Sequence, residues 1–320
     1  MTMKELAKLA NVSLSTVSKA FHDTFDVSTE TKEHIFELAK QYGCYEKYYK
    51  GKYQKKIIAI ICPELESAYY NAYVEKLQKL IKKHDGIALI SSYDFETESQ
   101  EELLDYYISH LKVDGVFVLG MKAPLKKGYD IPVIALLSDS RNIKDSISVD
   151  LASAIQDALA YLNGLGHQNI LFSGEALTRS KEKYFLKSAE NFSGTYRTVC
   201  SAYRFEHAGE DCAEQILALP DKPTAIVCAY DNIAIGLIRY LTSHGYSVPE
   251  DFSVIGMDNN HASQYMEHSL TSIDSNPDEV CSIAWDLLSK KLQNSYYKLS
   301  QRIIVTGRLI IRESTGKPRE

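Results

Sequence analysis

Residues 16–23 read TVSKAFHD. On a helix of about 3.6 residues per turn, Val17, Ala20 and Phe21 fall on one side. Ser15, Lys19 and His22 fall on the other, flanked by Thr16 and Ser18, with Leu14 at the exposed first turn. The stretch holds no acid pair, no nucleophile–base pair and no metal-ligand spacing. Hydroxyls and an ammonium on one face are the groups that reach phosphates and base edges. The same face also suits the solvated side of any surface helix, so the flanking sequence has to decide.

Upstream, Thr2-Met3-Lys4-Glu5 is a capping box, and Leu6, Leu9 and Ala10 follow it at helical spacing. Asn11 tolerates the left-handed backbone of a tight turn, and Ser13 can cap the next helix. Downstream, Ser28 can cap a third helix that buries Ile35, Leu38, Ala39 and Tyr42 and ends at Gly43. Three short helices, the first two joined by a short turn, have the spacing of a helix-turn-helix.

The whole chain has 320 residues, enough for two or three units. Charged residues make up 24% and hydrophobic ones 45%, ordinary values for a water-soluble globular protein. No window holds about 18 uninterrupted apolar residues, and MTMKELAKLA lacks the apolar core of a signal peptide. A cytoplasmic protein with no membrane partner is expected. Cys44, Cys62, Cys200, Cys212, Cys228 and Cys281 show no Cys-x-x-Cys spacing and read as reduced, mostly buried residues. Net charge is −6, but residues 1–56 hold ten lysines against seven acids, a net of +3. A small basic head therefore precedes an acidic body.

Over residues 3–43 the head resembles the DNA-binding head of the LacI/GalR, or lactose-repressor, family. The shared residues are Glu5, Leu6, Ala7, Ala10, Val12, Ser13, Thr16, Val17, Ser18, Lys19, Val27, Ser28, Thr31 and Lys32, in the family's order and spacing. The resemblance implies that Leu14, Ser15 and Lys19 read bases in the major groove. Ser13, Thr16, Ser18, His22, Ser28 and Thr31 take positions near phosphates. Asn11 replaces the family's usual glycine and His22 its usual asparagine. Lys19 replaces the commoner arginine and cannot make that residue's bidentate contact to guanine.

Residues 44–56, CYEKYYKGKYQKK, depart from the family's hinge pattern Y-x-P-N-x-x-A-R-x-L: they contain no Pro, no Asn and no Leu. In one reading Tyr48 and Tyr49 take over the minor-groove wedge while lysines hold phosphates. In the other, Gly51 leaves the segment a tether and the hinge mechanism is lost.

From Ile57 the pattern changes to short apolar runs alternating with amphipathic helices: IIAIIC (57–62), IALISS (87–92), GVFVLG (115–120), PVIALL (132–137), then a second set from 151 onward. Strand–helix alternation implies parallel βαβ units, and two sets imply two doubly wound lobes with ligands at the strands' carboxyl ends. The expected fold is thus a small all-α helix-turn-helix head on an α/β body of two doubly wound parallel-sheet lobes. GLGHQN (164–169) lies after a helix and before a strand, the reverse of a phosphate-cradling loop. It reads as a helix end. There is no Walker A, G-x-S-x-G or H-E-x-x-H motif, so no enzyme activity, cofactor or metal is expected.

The body again resembles the family, in LGHQNILFSG (165–174) and in the stretch from LPDKPTAIVCAYDN through SVIGMDN (219–259). The resemblance implies a periplasmic-binding-protein-like architecture with domains at 1–43 (head), 44–56 (linker) and 57–320 (effector-binding and dimerisation). The N-lobe takes about 57–148 and 276–297, and the C-lobe about 149–274 and 299–316. It also implies an effector cleft lined by Tyr69, Tyr70, Asp150, Tyr230, Asp231 and Asp258. Arg179, Lys181 and Lys183 are candidates for the place of the family's arginine in R-x-x-G-[F/Y], with Arg179 the first choice. Carboxylates with aromatic rings suit hydroxyl-rich ligands. The function implied is a homodimeric repressor that binds operator DNA under control of a sugar-like effector. The alternative is a ligand-binding module whose atypical linker leaves little specific DNA binding.

Overall fold

The computed structural model describes residues 1–21, 26–48, 55–121, 125, 128–138, 144–293 and 299–319. Two compact units follow one another, Met1–Lys56 and Ile57–Glu320.

The first unit is helical: α1 (Met3–Leu9), α2 (Leu14–Phe21), α3 (Thr29–Gln41) and a single turn, α4 (Tyr45–Tyr48). Local chemistry sets each boundary. The Glu5 amide donates to the Thr2 hydroxyl at 3.3 Å, and the Glu5 carboxylate accepts from the Thr2 amide at 2.7 Å, closing the capping box. Asn11 takes the turn with φ +52°. Ser13 accepts from the Thr16 amide at 3.0 Å and Ser28 from the Thr31 amide at 3.2 Å. The helices bury Leu6, Val17, Ala20, Phe21, Ile35 and Ala39 completely. Burial is worth about 1.5–3 kcal/mol for each of the larger side chains, and without it helices this short would not persist.

The second unit contains two six-stranded sheets. The first lobe starts with β1 (Ile57–Cys62), α5 (Ala68–Lys83), β2 (Ile87–Ser92), α6 (Thr97–Asp105), β3 (Gly115–Leu119), β4 (Val133–Leu136) and β5 (Ser146–Asp150). The second holds α7 (Leu151–Leu165), β6 (Asn169–Glu175), α8 (Arg179–Ala189), β7 (Thr195–Ser201), α9 (Phe205–Leu217), β8 (Ala225–Cys228), α10 (Asp231–Ser243), β9 (Ser253–Met257) and β10 (Thr271–Asp274). The chain then returns through α11 (Pro277–Gln293) and β11 (Arg302–Thr306) and ends with β12 (Arg308–Ile310). Strand order is β11-β5-β4-β3-β1-β2 in one sheet and β12-β10-β9-β8-β6-β7 in the other. Among the described residues every strand pairing is parallel except β10 with β12.

Sequence alone places residues about 299–316 in the second lobe, but β11 does not lie there. β11 pairs with β5 over its full length, Arg302 opposite Ser146 and Thr306 opposite Asp150, so it is the edge of the first sheet. Residues 149 and 150 likewise stay in that sheet. The physical reason is the alternation in RIIVT: Ile303 and Val305 turn inward while Arg302, Ile304 and Thr306 are exposed, which fits a sheet edge. The chain crosses at Gly307, where a Cβ would come 3.1 Å from Ala154 Cβ and 3.3 Å from the Asp274 carbonyl. The Arg308 guanidinium then meets the Asp274 carboxylate at 3.1 Å, tying two crossings together.

Gly166 ends α7 at φ +100°, so the GLGHQN stretch is a helix end. His167 is buried between Thr224 Oγ1 (2.8 Å) and the Gly316 carbonyl (2.9 Å), a packing role. The six cysteines are free thiols. Among the described residues no helix is long and apolar enough to cross a membrane, and no cluster of three His, Cys, Asp or Glu could hold a metal.

Candidate functional site

On the head, α2 turns Val17, Ala20 and Phe21 inward and leaves Leu14, Ser15 and Lys19 exposed, with Thr16 and Ser18 half-buried beside them. Thr16 and Thr31 also carry structural work, each sharing its hydroxyl with a capping serine at 2.8 Å. The Lys19 ammonium pairs with the Asp26 carboxylate at 2.8 Å, both side chains well exposed.

Tyr48, expected on the DNA face, packs against the head's own core. Its ring centroid lies 5.8 Å from that of Phe21, and its hydroxyl donates to the Met1 carbonyl at 2.7 Å. Tyr45 packs likewise on Phe36 at 5.4 Å, and Cys44 is buried. The first turn of the expected linker is thus built into the head, because its aromatic rings complete a core that three short helices leave open. His22 and Tyr49 lie outside the described residues.

In the body, the facing ends of the two sheets enclose a cavity of about 450 Å³. Tyr69, Tyr70, Tyr230 and Asp258 line it, four of the seven residues expected there. Asp258 sits just beyond β9 in the left-handed region, φ +101°, a strained conformation for a residue with a Cβ. Its side chain is 9% exposed. Burial pushes its carboxyl up to about 7, an effect the nearby Lys181 ammonium opposes.

Lys181, in the first turn of α8, supplies the cation. Its ammonium donates to the Ala229 carbonyl at 2.7 Å and to Asp258 Oδ1 at 3.2 Å. It also stands 5.1 Å from the ring centroid of Tyr69 and 5.8 Å from that of Tyr230. Arg179, the first choice from sequence, is 62% exposed and pairs with Glu182 at 2.8 Å outside the cavity. In the sequence, Lys181-Glu-Lys-Tyr184-Phe185 has the register of R-x-x-G-[F/Y], with lysine for arginine and tyrosine for glycine.

Asp150 and Asp231 do not line the cavity. Asp150 caps α7, accepting from the Ser153 amide at 3.0 Å, and this hydrogen bonding holds its carboxyl below the usual range. Asp231 is fully buried and accepts from Ser263 Oγ, Ser272 Oγ and the Asn260 amide, bracing the loop after β9. Burial raises its carboxyl to about 6 despite these bonds.

Three charged residues that sequence reasoning missed complete the wall. Glu64 follows β1, Glu175 ends β6 and Arg204 follows β7. All stand at carboxyl ends of parallel strands, the position where ligands gather in such sheets, and that rule would have found them. Arg204 Nη1 and Nη2 donate to the two oxygens of Glu64, each at 2.8 Å, bridging the lobes. This pairing raises the guanidinium's pKa further.

The comparisons agree with this architecture. Residues 2–45 match the family model described as bacterial regulatory proteins, lacI family, and residues 159–315 match the periplasmic binding protein-like domain. The HTH-type transcriptional repressor PurR of Mannheimia succiniciproducens is 27% identical over 99% of both chains. In fold the chain is similar to the lac repressor dimer bound to operator and the anti-inducer ONPF (TM-score 0.75, 19% identity, 99% of both chains). It is also similar to a LacI family regulator from Enterococcus faecium with bound ribose (TM-score 0.69, 20% identity, 82% of this chain and 100% of that one).

Proposed function

We propose that the chain, whose head matches the lacI family of bacterial regulatory proteins and whose body matches the periplasmic binding protein-like domain, represses transcription as a cytoplasmic homodimer controlled by a small molecule in the body's cleft. The observation that carries the reading is the two-sided α2. Val17, Ala20 and Phe21 fix one side in the head's core, and Ser15 and Lys19 stand exposed on the other. A rigid helix that displays a hydroxyl and an ammonium is built to enter a major groove. Two such heads read half-sites of a near-palindromic operator.

The cleft reading rests on carboxylates and aromatic rings around a cavity of about 450 Å³, a size suited to one sugar-like effector. The ribose bound to a protein of the same fold supports that class. Effector binding shifts lobe closure and with it operator affinity; couplings of this kind are worth about 1–3 kcal/mol.

Binding of purified variants to a selected operator fragment tests the head. Lys19→Ala lowers specific affinity by about tenfold or more. Asp26→Asn, which removes the carboxylate paired with Lys19, raises it about two- to fivefold. Unchanged affinity in Lys19→Ala would remove base reading by α2.

A further inference from the structure

The cleft's own charges indicate what kind of effector completes it, if the cavity is the effector site as proposed above. Its wall carries three carboxylates, Glu64, Glu175 and Asp258, against two cations, Lys181 and Arg204. Four of these groups are already matched. Both Nη groups of Arg204 are held by Glu64, and Lys181 is held by Asp258 and the Ala229 carbonyl.

Glu175 is the group left over. It is 2% exposed, and its Oε2 makes no hydrogen bond within ordinary geometry; burial raises its carboxyl above the usual range, against the pull of Arg204 and of the Tyr230 hydroxyl beside it. Its Oε1 stands 3.6 Å from Arg204 Nε, which is also buried without a hydrogen-bond partner. A buried carboxylate is stable when it is both hydrogen-bonded and matched in charge. Arg204 is shared with Glu64 across the cleft and cannot neutralise both. A hydroxyl would supply the missing hydrogen bond and leave the charge unmatched; an ammonium supplies both. A charge-assisted bond of this kind is about twice as strong as a neutral one. Beside the pair stand the rings of Phe205 and Tyr230, centroids 6.0 Å apart, apolar surface for a ring and attractive to a cation.

We propose that the effector is a small ring-bearing amine whose ammonium pairs with the Glu175 carboxylate at the cavity wall. Neutral molecules of the same shape bind more weakly, because they bring no positive charge to match the Glu175 carboxylate.

The test uses the full-length protein and matched pairs: glucosamine and glucose, galactosamine and galactose, tyramine and p-cresol. Affinities come from titration calorimetry, supported by unfolding midpoints at a shared millimolar concentration. The expected result is at least one amine that binds about tenfold or more tightly than its neutral partner. Glu175→Gln then reduces that preference to about threefold or less. The proposal is overturned if every neutral partner binds as well as its amine, if no amine binds, or if the preference survives Glu175→Gln. Should that variant fail to fold, the comparison on the unaltered protein still decides. Tyr230→Ala separates this failure from failure of the cleft reading. Binding that is lost in Tyr230→Ala but indifferent to Glu175→Gln keeps the cleft as the site and sinks the amine. Binding that survives both substitutions moves the site elsewhere and removes both.

Discussion

Arg204 of the second lobe forks onto Glu64 of the first, with both N···O distances at 2.8 Å. The pair bridges the two lobes at the cavity wall, so it has to break or swing when the lobes part. Arg204 is 36% exposed and Glu64 13%, so solvent screens part of the attraction. Removing the guanidinium leaves Glu64 without its fork. Arg204→Met is expected to lower body stability by about 1 kcal/mol or less and to shift the effector-free protein toward an open form. Small-angle scattering checks this: the variant's radius of gyration exceeds that of the unaltered protein, and an unchanged radius would show that the fork does not hold the lobes.

Asp231 was expected to touch ligand, yet its carboxylate ties Ser263, Ser272 and the Asn260 amide together. A Cβ at Gly256 would fall 2.2 Å from Asp231 Oδ1. Asp231→Ala and Gly256→Ala should therefore each destabilise the body by about 2–4 kcal/mol. Denaturant unfolding measures the loss. Folded Asp231→Ala protein of unchanged stability but weakened ligand binding would restore the contact role.

Tyr48 separates packing from DNA contact. Tyr48→Phe keeps the ring on Phe21 and loses only the bond to the Met1 carbonyl, so operator affinity stays within about twofold. Tyr48→Ala opens the head's core and lowers its stability by about 2–4 kcal/mol, with operator binding lost in step with folding. Weakened binding by Tyr48→Phe with an intact head would instead mean that the hydroxyl reaches DNA.

Asp258 gives the body a pH signature. Its folded carboxyl is raised to about 7 from an ordinary 3.8, so taking up a proton favours the folded state. Its contribution to stability rises as pH falls through about 7 and is complete only below the ordinary carboxyl value. Asp258→Asn cannot titrate. The variant's unfolding midpoint relative to the unaltered protein should be highest near pH 8 and fall steadily toward about pH 5.5. A pH-independent difference would mean that Lys181 holds Asp258 ionised throughout.

The head was legible in sequence because its signals are local. Thr2, Glu5, Ser13 and Ser28 act within three residues of themselves, and Val17, Ala20 and Phe21 repeat with the helix. The alternation of strands and helices revealed the two lobes in the same way. Non-local pairings stayed hidden. Nothing near Arg302–Thr306 says that it lies beside Ser146–Asp150, some 150 residues earlier in the chain. Glu64 and Arg204 meet only because two separate strands end at one cleft. Arg179 and Lys181 differ by two residues on one helix, enough to turn one to solvent and the other inward. Tyr45 and Tyr48 looked like an exposed basic linker because lysines surround them, while their rings answer to a core that forms only on folding.

The central claim is that the head reads a specific operator. The most direct test is selection of DNA fragments by the purified protein, with the best fragment's affinity followed against salt. The account predicts a near-palindromic site with two half-sites and a steep salt dependence, the logarithm of affinity falling by about 0.9 per phosphate contact for each tenfold rise in salt. Weak binding without sequence preference, with and without a cleft ligand, would contradict it.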